Sequence, residues 1–302
     1  MKLISFDYQG RCAPGLWLEG QVLDLAAAAR AAGESADLRS MLAIIRGGES
    51  ALAAVRRLEQ QRGRWPQALL PLALVTLRAP IPVPVRNIFC VGRNYLDHVK
   101  EGYAKAGREA KLPEVPQFFT KATHALNAPN GDVRLDSRLT QLLDYEVELA
   151  IVIGRGGRDI APLQAAQHIF GYTVANDFTA RDLQRRHEQW FKGKSLDTTC
   201  PIGPCIVDRD SIADPKTLEL RLSVNGEERQ RATVAQMIFD LPTIIASLSA
   251  GLTLEAGDII ATGTPAGVGF AMTPARALAD GDLVAAAIEG IGELRNRIVA
   301  VA

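Results

Sequence analysis

The chain has 302 residues, with 34 Lys plus Arg against 34 Asp plus Glu and a formal net charge of zero. At 47% hydrophobic and 23% charged residues it has the composition of a folded globular protein, which excludes disordered, collagen-like and coiled-coil architectures. Balanced charge without a long block of either sign argues against nucleic acid as a partner. The longest apolar run, Ala68 to Leu77, is about half of the ~20 residues a membrane span needs and is broken by Pro71, so no membrane partner is expected either.

The opening MKLISFDYQG turns polar too early for a signal peptide, and a cytoplasmic protein is expected. Lys2 to Tyr8 and Gly20 to Leu25 read as short strands, followed by helical periodicity over Asp24 to Ala32 and Glu49 to Gln61. Residues 1–75 thus read as a small N-terminal accessory domain. In APIPVPVR, Ala79 to Arg86, proline recurs at every second position, which fits a linker and neither a helix interior nor a central strand. The remainder, 76–302, reads as the catalytic domain. Its strand signals are Asn87 to Gly92, Gln117 to Thr120, Asp144 to Ile153, Phe170 to Ala175, Leu218 to Val224, Gly257 to Ala261, Leu283 to Ile288 and Glu293 to Val299. Helices are expected over Asn94 to Ala106 and over Asp240 to Ala250, the second with Asp240 as cap and Pro242 in its first turn. Asn225-Gly226 marks a hairpin. The fold class is α+β and predominantly β. Cys12, Cys90, Cys200 and Cys205 form neither a disulfide scaffold nor a zinc pattern and read as buried thiols.

The segment LLDYEVELAIVIGR holds the most chemistry. In a strand, Glu146 and Glu148 point to the same face, roughly 7 Å apart along the chain. A solvated edge-strand face is one reading of that pair; the other is a cleft in which the carboxylates, having no evident cationic partner in the sequence, are neutralised by a hard divalent ion. Asp177, where the apolar run IFGYTVA turns into NDFTARD, offers a third carboxylate, with Asp182 as its rival. Two Glu and one Asp suit Mg²⁺ or Mn²⁺. On the helix that follows VGRNY, His98 and Glu101 are three residues apart and share a face, as an exposed helix surface or as a general base whose imidazole is oriented by a carboxylate. The loop ATGTPAGVG, Ala261 to Gly269, leaves backbone N–H groups accessible and reads either as a tight turn or as a cradle for a carboxylate or oxyanion. The Gly193-Lys194-Ser195 and Gly154 to Asp159 stretches fail the phosphate-loop and dinucleotide patterns, and His124, His168 and His187 show no metal spacing.

Taken together, FCVGRNYLDHVKE, DYEVELAIVIGR, GYTVANDFTARDLQ, GKSLDTTCPIGP and GDIIATGTPAGVG resemble, in order and spacing, the fumarylacetoacetate hydrolase family over residues 85–300. The resemblance extends to bacterial-type members with a small N-terminal domain. It implies a mixed β-sandwich roll, a homodimer, and Mg²⁺ or Mn²⁺ held by Glu146, Glu148 and Asp177. It further implies catalytic roles for His98, Glu101 and Lys194, and substrate contacts from Arg181, Gln184 and Thr264. His187 to Gly193 falls where subfamilies differ most. The implied substrates are small 2-oxo acids. Hydrolysis of a C–C bond in acylpyruvates or other 1,3-dicarbonyl 2-oxo acids, fumarylpyruvate-like or acetylpyruvate-like, is the leading expectation. Oxaloacetate decarboxylation, hydroxymuconate isomerisation and sugar-acid dehydration are alternatives on the same site, and a catalytically silent ligand sensor or scaffold is the alternative of another class.

Overall fold

The structure is a computed structural model that describes residues 1–301. It opens with an antiparallel meander, β1 (Lys2–Tyr8), β2 (Arg11–Leu18) and β3 (Gln21–Asp24), and two helices, α1 (Leu25–Ala32) and α2 (Met41–Gln60). The side chain of Asp24 caps α1 by accepting from Ala27 N, and Ser40 caps α2 by accepting from Ala43 N. The second helix starts eight residues before the expected Glu49 and bends at Gly48, whose φ of 53° is not helical; the Gly47-Gly48 pair hides the continuity from a periodicity reading. Short strands β4 (Leu69–Pro71) and β5 (Thr76–Arg78) complete this part, and the proline-rich stretch that follows carries no regular element.

Beyond it come β6 (Ile88–Gly92), α3 (Leu96–Lys105), β7 (Gln117–Lys121), β8 (Leu126–Asn127), β9 (Val133–Leu135), β10 (Leu143–Asp144), β11 (Val147–Ile153), α4 (Ala165–His168), β12 (Ile169–Asn176) and β13 (Thr179–Ala180). The chain continues through α5 (Arg181–Arg186), α6 (Phe191–Lys194), β14 (Cys200–Asp208), β15 (Glu219–Val224), β16 (Glu227–Thr233), α7 (Leu241–Ser249), β17 (Ile259–Ala261), β18 (Leu283–Ile288) and β19 (Gly292–Ala300). All of the strand signals read beyond the linker fall on strands, and Asn225-Gly226, both at positive φ, turns β15 into β16.

Two sheets carry the architecture. The larger has twelve strands in the order β4-β3-β2-β1-β14-β12-β11-β17-β6-β7, with β5 also paired to β1 and β8 to β14. The smaller, β16-β15-β18-β19-β9, has five. Alternation along β11 shows how they stack: Val147, Leu149, Ile151 and Ile153 pack with Leu220, Leu222, Val284 and Leu294 of the smaller sheet, while Ala150 and Val152 belong to a second core with Ile44 and Ile45 of α2. The result is the mixed, strand-rich arrangement that the resemblance implies. The N-terminal strands extend the large sheet through the β1–β14 pairing (Lys2 with Val207, Leu3 with Ile206).

Two departures concern the thiols and β14. Cys12 is exposed on β2, whereas Cys90, Cys200 and Cys205 are buried as expected. The strand β14 is buried along its whole length in the centre of the large sheet, yet no strand is signalled there, because Pro201 and Pro204 demote the segment. Pro204 falls at the irregularity in the β12–β14 ladder, between the Val174–Gly203 and Tyr172–Val207 pairs, where a missing N–H costs no ladder bond. Among the described residues no helix is long and apolar enough to cross a membrane.

Candidate active site and metal centre

Antiparallel pairing of β11 with β12 assembles the acidic centre. Glu146 immediately precedes β11, Glu148 lies within it and Asp177 follows β12, while the register sets Val147 against Asn176 and Glu148 against Ala175. The end of one strand therefore meets the beginning of the other. Asp177 N donates to Glu146 O at 2.9 Å, and Glu146 N donates to Asn176 Oδ1 at 3.0 Å. One oxygen from each of Glu146, Glu148 and Asp177 lies within 4.8 Å of the other two, and all three residues are buried. Since β11 runs between β12 and β17, the edge-strand reading of the two glutamates is excluded. Asp182, the rival, is held by Thr140 Oγ1 and the backbone N–H groups of Gln141 and Leu183 and does not join the cluster.

The reading that these carboxylates lack cationic partners is corrected by the structure. Lys121 Nζ donates to Asp177 Oδ1 at 2.6 Å and to Phe178 O at 3.0 Å. Lys194 Nζ bridges Glu146 Oε2 and Asp177 Oδ2, each at 2.6 Å. Arg181 donates from Nε to Asp144 Oδ2 at 2.9 Å and sets Nη2 2.7 Å from Glu146 Oε1. These partners lie 17 to 56 residues away in sequence from the carboxylates they neutralise, so local spacing carries no trace of them. Asp144 and Lys121 were not singled out from the sequence; each is buried with the cluster.

Glu148 differs from its neighbours. Its Oε2 accepts from Gly263 N at 2.8 Å and it forms no ion pair among the described residues, so burial, then the charges of Asp177 and Glu146, push its carboxyl well above the ordinary range. For Glu146 burial works in the same direction, but the charges of Lys194, Arg181 and His98 overrule it and hold the carboxyl down to about 2. Four buried carboxylates, Asp144, Glu146, Glu148 and Asp177, thus face three buried cations, Lys121, Arg181 and Lys194. Glu148 is the carboxyl that this count leaves without a cation. An all-oxygen donor set with that surplus fits a hard divalent cation.

The expected dyad also forms. His98 Nδ1 lies 2.8 Å from Glu101 Oε1 on α3, and the other carboxylate oxygen of Glu101 accepts from Gly267 N at 2.9 Å. Gly267 has φ 107°, and a Cβ there would stand 1.9 Å from Arg229 O, so only glycine lets this N–H reach Glu101. Asn94 ties the turn before α3 to the same loop, with Nδ2 donating to Thr262 O at 2.8 Å and to Phe239 O at 3.0 Å, while Oδ1 accepts from Phe239 N at 2.8 Å. The loop of small residues therefore commits its Gly263 and Gly267 N–H groups to Glu148 and Glu101. Thr264 Oγ1 donates to Val147 O at 3.0 Å and accepts from Gln230 Nε2 at 2.8 Å. Gln184 Oε1 accepts from Arg181 Nη1 at 3.4 Å. Of the remaining histidines, His168 is buried with Nδ1 2.7 Å from Arg155 O. A single cleft of about 680 Å³ brings His98, Glu146, Glu148, Arg181, Gln184, Lys194 and Thr264 to one surface.

The family model described as Fumarylacetoacetate (FAA) hydrolase C-terminal matches residues 87–299, the stretch that holds the acidic triad and the His98–Glu101 pair. The chain belongs to that family and carries an N-terminal region before the matched domain. It is 43% identical over 304 residues to oxaloacetate tautomerase YisK of Bacillus subtilis (strain 168), covering 99% of this chain and 100% of the relative. Among solved structures, the fumarylacetoacetate hydrolase of Exiguobacterium antarcticum shares 41% identity at a TM-score of 0.80, with full coverage of both chains. The maleylpyruvate hydrolase of Sphingobium sp. SYK-6, solved with manganese(II) and pyruvate, shares 31% identity at a TM-score of 0.78, again with full coverage of both.

Proposed function

We propose that this protein is a Mg²⁺- or Mn²⁺-dependent enzyme that interconverts the keto and enol forms of small 2-oxo acids, with oxaloacetate as the first substrate to test. The observation that carries this reading is that His98, paired with Glu101 at 2.8 Å, lines the same cleft as Glu146 and Glu148. Full-length likeness to an oxaloacetate tautomerase supports it. The reading moves proton transfer ahead of C–C hydrolysis and of decarboxylation.

Glu146, Glu148 and Asp177 would hold a divalent ion, and the chemistry it would supply when bound is Lewis-acid polarisation of the keto group of a 2-oxo acid. His98, oriented through Nδ1 by Glu101, presents its Nε2 as the base that takes a proton from the carbon next to the keto group. Glu101 stabilises the imidazolium formed. Returning that proton to oxygen completes the enol, as the C=O double bond gives way to C=C, and the reverse sequence gives the keto form; no C–C bond is broken. The ammonium of Lys194 and the guanidinium of Arg181 supply positive charge at the floor of the cleft, where the substrate carboxylate and the developing enolate oxygen need it. The same reading assigns Gln184 and Thr264 to substrate contact, residues 1–75 to an accessory unit that supplies no group to the cleft, and the assembly to a homodimer.

Hydrolysis of acylpyruvates is the second reading, favoured by the likeness to the maleylpyruvate hydrolase, because the same dyad can deprotonate water. Product analysis separates the two: with oxaloacetate, tautomerisation changes enol absorbance without releasing pyruvate, whereas hydrolysis of an acylpyruvate yields two acids. Failure of Mg²⁺- or Mn²⁺-loaded protein to speed enol–keto relaxation of oxaloacetate removes the first reading.

A further inference from the structure

Above its floor the cleft has two walls on which cations and aromatic rings alternate. On one wall Lys194 Nζ lies 5.0 Å from the Phe119 ring centroid, and Phe119 meets Trp190 edge-on at 5.3 Å. The Arg93 guanidinium follows, 5.7 Å from Trp190 and 5.8 Å from Tyr103. On the other wall Phe270 is shared by Arg181 at 4.5 Å and Arg185 at 5.6 Å, the two arginines being one turn of α5, about 6 Å, apart. The inner cations, Lys194 and Arg181, are buried and committed to Glu146, Asp177 and Asp144. The outer cations differ. Arg93 and Arg185 are exposed, line the same cleft, and form no ion pair among the described residues.

Arg93 is held in place. Its φ of 55° is unusual for a residue with a side chain, and the next residue is the Asn94 pinned to the loop at Thr262. Trp190, whose ring centroid lies 5.7 Å from the Arg93 guanidinium, rests directly on the backbone of Gly92, where a Cβ would come within 2.3 Å of the ring. Lys105 and Arg108 add positive charge along the outer lining, against the carboxylate of Glu188. A guanidinium that forms no ion pair and lies within about 6 Å of an aromatic ring centroid is a receptor for carboxylate.

We propose that Arg93 and Arg185 form a second anion subsite at the mouth of the cleft, which reads a distal carboxylate and makes a dianionic 2-oxo dicarboxylate the preferred ligand. Which end points inward rests on the proposed 2-oxo acid chemistry; the preference for a dianion rests on the outer wall alone. The test is calorimetric titration of Mn²⁺-loaded protein with 2-oxoglutarate and with 2-oxopentanoate, matched in chain length and differing in the distal carboxylate. The wild type is expected to bind 2-oxoglutarate at least about tenfold more tightly, the scale of one charge-assisted contact. In the Arg93→Gln, Arg185→Gln double variant that preference falls to within about twofold while 2-oxopentanoate affinity is unchanged, since both side chains are exposed and neither holds the core. Equal affinities in the wild type, a preference retained by the double variant, or no binding of either acid overturns the subsite. A wild type that shows the preference but leaves oxaloacetate relaxation unaccelerated refutes the tautomerase reading and leaves the subsite standing.

Discussion

Replacing Lys121 by Met tests whether the acidic centre is held by charge balance. Lys121 is fully buried, and its Nζ is the partner of Asp177 Oδ1 at 2.6 Å. Met keeps the apolar stem and removes the ammonium, so four buried carboxylates then face two cations and Asp177 Oδ1 loses its donor. Breaking one side of a buried pair costs about 3–5 kcal/mol, because the remaining charge stays desolvated. At about 2 °C per kcal/mol for a chain of this size, the variant should melt about 6–10 °C below the wild type in the presence of chelator at pH 7.5. Added Mn²⁺ returns positive charge to the same carboxylates and should narrow the gap. Differential scanning fluorimetry of both proteins, with chelator and with Mn²⁺, reads both effects. A loss below about 2 °C with chelator, or a gap indifferent to Mn²⁺, refutes the reasoning.

Other outcomes follow from the same geometry. His98→Ala should lower turnover about 10²- to 10⁴-fold, the usual contribution of a general base, with metal affinity by calorimetry unchanged, whereas Asp177→Asn should lose both. Gly267→Ala places a Cβ 1.9 Å from Arg229 O and withdraws the N–H that Glu101 accepts, so turnover should fall while Mn²⁺ affinity holds. Metal affinity should rise with pH: Glu148 has its carboxyl raised well above 4.5, and the ion can bind only after that proton leaves, which a proton-release measurement during titration detects. In the metal-free protein the raised Glu148 contributes stability that is complete below about 4.5 and is lost as the pH rises through its folded value. Glu146, depressed to about 2, contributes stability present above 4.5 and lost as the pH falls toward 2. Chemical unfolding across pH separates these opposite slopes in Glu146→Gln and Glu148→Gln.

Where local spacing carries the information, the sequence was readable. The alternation in β11 placed Glu146 and Glu148 on one side, and i, i+3 spacing joined His98 to Glu101, both matched in the fold. The triad's third member was visible as a polar break after an apolar strand. What stayed hidden was long-range: Lys121, Arg181 and Lys194 neutralise the carboxylates only because β7, α5 and α6 converge on the ends of β11 and β12. Glycine and threonine in the Ala261 to Gly269 loop suggested a substrate cradle, but without the third dimension nothing indicated that Gly263 and Gly267 donate to Glu148 and Glu101. The strand β14 was missed because its prolines argue against a central position, and the irregularity that accommodates Pro204 is a property of its partner's register.

The most direct test of the central claim is stopped-flow relaxation of oxaloacetate supplied as its enol, with Mn²⁺-loaded protein, chelated protein and His98→Ala compared at one pH, and pyruvate assayed in the same reaction. The account predicts rapid loss of enol absorbance with loaded wild type, slow loss with the other two, and no pyruvate formed on that timescale. Equal rates in all three, or pyruvate appearing as fast as the enol disappears, contradicts it.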